Sequence, residues 1–143
     1  MSPQKNKTSG KGGNKSVGKL LMLAALLAGA TAAVHVVAGG RQVAAPMMES
    51  NLAEIPRLTL YAGWHMISVT LGISAVAYLI ASLPAYRRTW RPVARFVSLL
   101  WVAFGAVFIV VIVVQERDDL WLELPQWIML APTGLIGFLG ARS

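Results

Sequence analysis

Charged side chains are absent from four long apolar stretches of the chain, at about residues 20–38, 58–83, 96–114 and 124–141. A bilayer core about 30 Å thick is crossed by roughly 20 helical residues, so each stretch predicts a transmembrane helix. None shows the apolar and polar alternation over about ten residues that marks a membrane β-strand, which argues against a barrel. The expected fold is therefore an all-α membrane protein, a four-transmembrane-helix bundle over residues 19–143. Residues 1–18, rich in Lys, Gly, Ser and Asn, predict a disordered basic tail.

The first stretch has some features of a signal peptide: a basic head, an apolar run and the small residues Ala28-Gly29-Ala30-Thr31-Ala32-Ala33. The run continues through Val34-His35-Val36-Val37-Ala38, a length that spans, so an uncleaved helix is expected. Ala24, Ala28 and Ala32 form one small-residue stripe, and Ala25, Gly29 and Ala33 the next; both suit close helix packing. Gly134, Gly137 and Gly140 offer the same in the fourth stretch, where Pro132 should kink the helix.

Basic residues set the orientation. The head, the segment between the second and third stretches and the tail hold ten Lys and Arg and no acid, including Lys5, Arg87, Arg95 and Arg142. The other two connections hold Arg41, Arg57 and Arg117 against six acids. Cytoplasmic loops collect Lys and Arg, so both termini are expected in the cytoplasm. Tyr61, Trp121 and Trp127 then lie near the outer interface, and Tyr86 and Trp90 near the inner one.

Composition agrees: of 143 residues, 56% are apolar and 13% charged. The net charge of +7 is scattered between apolar runs rather than set on one folded face, which points to the lipid bilayer as partner and not to nucleic acid. No cysteine is present, which removes disulfides, thiolate metal sites and a thiol nucleophile.

Two histidines, His35 and His65, fall inside predicted spans, where ionisable groups are rare and face the bundle interior. At 1.5 Å per residue they lie roughly 7 Å and 10 Å below the outer ends of adjacent antiparallel helices, so they should reach one level. Thr31 precedes His35 by four residues, Tyr61 precedes His65 by four and Ser68 follows it by three, which adds hydroxyls to the same faces.

Three roles fit this patch. Each histidine can hydrogen-bond between helices and fix register. The pair can hold haem b between facing imidazoles, with Gly39, Gly63 and Gly72 leaving room for the macrocycle. It can also bind a quinone-like or lipid head group. Two histidines are a poor metal site, since zinc wants three or four ligands. No mid-span Asp, Glu, Lys or Arg, phosphate loop or nucleophile elbow occurs, so an accessory or assembly subunit, in contact with other membrane subunits or with its own copies, is expected rather than an enzyme.

His35 with Gly39-Gly40-Arg41, Trp64-His65, and Leu124-Pro125-Gln126-Trp127 resemble small four-helix bacterial membrane proteins of no known activity. The likeness covers roughly residues 20–140. It implies a four-helix fold and a shared role for the two histidines and Trp127.

Overall fold

The computed structural model describes residues 10–142. Among the described residues the chain is helical with no strand: α1 (Gly10–Val34), a π-helical segment (His35–Ala44), α2 (Ala45–Glu49), α3 (Glu54–Ser82), α4 (Arg87–Val114), α5 (Leu120–Glu123) and α6 (Gln126–Ala141). The continuous stretch Ser16–Glu49, α3 and α4 are each long and apolar enough to cross a membrane. The fourth apolar run forms α6, whose 16 residues extend roughly 24 Å.

The element ends differ from those expected, for local reasons. The first helix begins at Gly10, inside the stretch expected as tail; residues 1–9 lie outside the described residues. It does not stop at Ala38 either. Gly39 and Gly40 are absorbed by widening the helix to i→i−5 hydrogen bonds, the last of which runs from the Ala45 N–H to the Gly40 carbonyl. Pro46, which has no N–H, stands just beyond this widened turn. The helix ends at Ser50, whose backbone is extended and whose Oγ donates to the Met47 carbonyl at 2.7 Å.

The third helix begins at Arg87 rather than near residue 96, so Arg87, Arg88, Arg91 and Arg95 belong to its first turns. A tight turn at Leu83 leads into it, with the Tyr86 and Arg87 N–H groups donating to the Leu83 carbonyl at 3.1 and 3.0 Å.

Contacts among these ends define one level. The Arg95 guanidinium donates from Nε to the Ala141 carbonyl at 2.8 Å and from Nη2 to the Arg142 carbonyl at 3.1 Å, satisfying the C-terminus of α6. Arg87 donates to the Ser82 carbonyl at 2.7 Å and lies over Gly18, where a Cβ would strike its guanidinium. A Cβ on Gly140 would meet Leu20 and Leu21. Residues 18–21, 82–87, 95 and 140–142 therefore sit together at a basic end.

The core lies in that half of the bundle. Leu21, Ala24 and Ala28 of α1 pack with Tyr78 and Ala81 of α3, Trp101 of α4 and Ala141 of α6. Small residues bring the helices close: a Cβ on Gly134 would lie 2.7 Å from the Ser98 carbonyl oxygen, and one on Gly105 would lie 2.9 Å from the Ala131 Cβ. Buried inside, the Ser98 hydroxyl donates to the Ala94 carbonyl at 2.7 Å, so the Tyr78 hydroxyl, 3.0 Å away, must be the donor to Ser98 Oγ.

Beyond Thr31, Leu71, Gly105 and Leu130, towards the other end, only Ala44 and Ile112 are buried among the described residues. The bundle is closed at its basic end and open at its acidic end.

Candidate functional site

The open half holds both histidines. Here the π-helical segment and α2 pack on α3, and Trp64 is the contact that joins them. The His35 ring lies flat on the Trp64 indole, with centroids 3.8 Å apart and planes 18° apart. Its Nε2 lies 3.4 Å from the Trp64 carbonyl oxygen, a long hydrogen bond that requires the proton on Nε2. One turn on, Gly39 leaves room for the edge of the same indole; a Cβ there would meet Cη2 at 2.6 Å. The wide turn of the first helix thus forms a slot, His35 on one side and Gly39 on the other, that receives Trp64.

This arrangement differs from two facing imidazoles. His35 stacks on Trp64, while His65, one residue further along α3, makes an edge-to-face contact with Tyr61 at 4.6 Å between centroids. A macrocycle gripped between the two rings would have to displace the indole, and the space expected at Gly39 is already filled. Around Gly63 and Gly72, by contrast, an added Cβ would meet nothing within 4 Å.

The hydroxyls take separate roles. Thr31 is buried towards the core and donates to the Leu27 carbonyl at 2.8 Å, so it does not meet His35. Ser68 donates to the Trp64 carbonyl at 3.1 Å. Tyr61, His65 and Ser68 come together along one wall of a cleft of about 360 Å3. Val36, Gly40, Ala44 and Met48 form the opposite wall. A Cβ on Gly40 would meet nothing within 4 Å, because the space above that glycine is the cleft itself.

No charged side chain lines the cleft. Among the described residues, neither the Tyr61 hydroxyl nor the His65 ring has a hydrogen-bond partner, so both are available to a ligand. Just outside, one turn from Tyr61, Arg57 donates from Nη1 to the Ser50 carbonyl at 3.4 Å and ties the turn between α2 and α3. Among the described residues, no three His, Asp or Glu side chains cluster to hold a metal ion.

Sequence reasoning on site residues missed Trp64 and the cleft wall at Gly40 and Ala44. The available signal was a histidine followed four residues later by glycine on one helix, opposite a tryptophan on the next. That pattern makes a hole and a ring that fills it.

At the other side of the open half, Trp121 and Trp127 meet edge to face at 5.7 Å, flanking the start of α6. In the adjoining connection Arg117 pairs with Asp119, Nε to Oδ1 at 3.2 Å. This bond holds the Asp119 carboxyl below the usual carboxylate range.

Compared with models of protein families, with curated proteins and with solved structures, the chain matches none of them.

Proposed function

We propose that this chain is an accessory or assembly subunit of a bacterial inner-membrane complex, crossing the bilayer four times with both termini in the cytoplasm. The observation that carries the reading is the uneven closure of the bundle. Nearly all the buried residues lie in the half bearing Tyr78, Ser98 and Trp101, whereas beyond Leu71 towards the acidic end only Ala44 and Ile112 are buried among the described residues. Met66 and Val69 lie on one uncovered face of α3 in this open half, and Ile73 and Val76 continue it past Leu71; each is more than half exposed. In lipid there is no hydrophobic drive to cover a face of this kind, and partners associate by shape, small residues and hydrogen bonds. A helix face left uncovered in this way is open to a second protein.

The basic end supports the orientation, since Lys19, Arg87, Arg88, Arg91, Arg95 and Arg142, with no acid among them, belong to the described segments that meet there. Four crossings need α6 to span with about 24 Å of helix, which a locally thinned bilayer or the adjoining α5 accommodates. The resemblance to small four-helix bacterial membrane proteins points the same way.

The experiment is site-specific photo-crosslinking in intact membranes with probes at Met66, Val69 and Ile73. A discrete adduct heavier than the chain is expected from these positions, and none from Leu21 in the core. If every position gives only uncrosslinked monomer, and mild detergent extracts only monomer, the subunit reading fails.

A further inference from the structure

The cleft between the π-helical segment and α3 has a chemistry that narrows what it holds. Its volume of about 360 Å3 is near the small end of ligand sites, enough for a ring or head group rather than a whole lipid. Its walls are apolar and aromatic, with Trp64 and Tyr61 among the lining residues and an open space above Gly40. Among the lining residues, Tyr61 and His65 carry side-chain donors that no hydrogen bond uses among the described residues. Ser68 spends its proton on the Trp64 carbonyl and can only accept. The complement is a neutral molecule with an acceptor oxygen at one edge of a flat ring.

An anionic ligand fits poorly. The lining has no Lys or Arg. Within a membrane span an unpaired charge is strongly unfavourable.

We infer that this cleft binds the head ring of a membrane-soluble quinone, with Tyr61 and His65 donating hydrogen bonds to one of its carbonyl oxygens. Both donors lie on consecutive turns of α3, so they address the same edge of the ring, where a single carbonyl oxygen with two lone pairs accepts from both. The inference goes beyond the subunit reading and needs only the isolated chain, so a failure of either leaves the other standing.

The test is a fluorescence titration of the purified full chain in detergent micelles with a benzoquinone carrying one isoprenyl unit. Quinones quench indole emission, and Trp64 lines the cleft. Saturable quenching is expected. Gly40→Leu, which fills the open space, and Ala45→Phe, which blocks the cleft from its own wall without adding an indole, should each abolish saturation, while Gly63→Leu, outside the cleft, should leave it unchanged. Tyr61→Phe and His65→Leu should each weaken binding about fivefold to tenfold, the worth of one hydrogen bond.

Quenching linear in quinone and equal in wild type and both blocked variants would mean partition into the micelle and would overturn the inference. So would saturable quenching that neither Tyr61→Phe nor His65→Leu weakens. Loss of saturation when phospholipid alone is added back would assign the cleft to lipid and overturn it as well.

Discussion

The imidazole of His35 rests on the indole of Trp64, with centroids 3.8 Å and planes 18° apart, and this stack joins the acidic-end half of the first helix to α3. Such ring pairs contribute about 0.5–1.5 kcal/mol beyond the area they bury. The stack also decides what His65 does, because the neighbouring residue on α3 is turned about 100° away and faces the cleft.

The slot depends on a glycine at one position and not at the next. Gly39→Ala puts a Cβ 2.6 Å from the Trp64 ring and should cost about 1–3 kcal/mol in thermal unfolding followed by circular dichroism in micelles. Gly40→Ala meets only open space and should be neutral, or stabilising by about 1 kcal/mol through helix propensity. Equal losses at both positions would show that Trp64 is not seated there.

A harder clash is expected in the closed half. At Gly134 an added Cβ would lie 2.7 Å from the Ser98 carbonyl oxygen and 2.9 Å from the Val102 nitrogen, both backbone atoms that cannot rotate aside. Gly134→Ala should therefore force α4 and α6 apart and cost about 3 kcal/mol, near the top of the usual overpacking range. Gly63→Ala, with nothing within 4 Å, is the matched control and should be silent in the same unfolding assay.

Burial of the Tyr78 to Ser98 hydrogen bond makes it a coupled pair. Tyr78→Phe and Ser98→Ala should each lose about 1 kcal/mol, and the double variant less than the two losses added together. The double-mutant cycle should return a coupling of about 0.6 kcal/mol, and at most about 1.7. A coupling of zero would mean that the two hydroxyls do not meet.

What the sequence disclosed and what it hid follow from the physics of each signal. Apolar runs report burial in lipid, so the long helices around Leu71 and Trp101 were legible without further help. Hydropathy does not report where a helix ends. Arg87 to Arg95 are helical because arginine is a good helix former that reaches the headgroup zone, and Gly39-Gly40 are helical because a wider turn absorbs them. That wider turn also explains the miss at the histidines. Their depth follows from counting residues, but a facing direction assumes 100° per residue, and i→i−5 bonding changes that angle from His35 onward. Thr31, on the regular side of the change, turns into the core, whereas His35 turns onto Trp64. Tyr61, His65 and Ser68 lie on regular α-helix, and their shared face was legible.

Orientation has a direct check in the charge asymmetry. A reporter active only in the cytoplasm should work when fused after Ser143 and fail when inserted near Glu49, while a reporter that needs export should do the opposite. Replacing Arg87, Arg88, Arg91 and Arg95 together by Asn should weaken or invert this pattern. Cytoplasmic activity at Glu49 in the unaltered chain would contradict the proposed topology.

The central claim is that the widened turn at His35 docks on Trp64 and so builds the cleft beside His65. The absence of native cysteine makes paired cysteines the most direct measurement. With His35→Cys and Trp64→Cys in native membranes, a short bismaleimide should join α3 to the first helix within minutes, and oxidation should follow if the Cα atoms come within about 7 Å. Val34→Cys with Met66→Cys, both exposed and turned away from the contact, should not react. Crosslinking of the Val34 and Met66 pair at the same rate, or none between positions 35 and 64, would contradict the account.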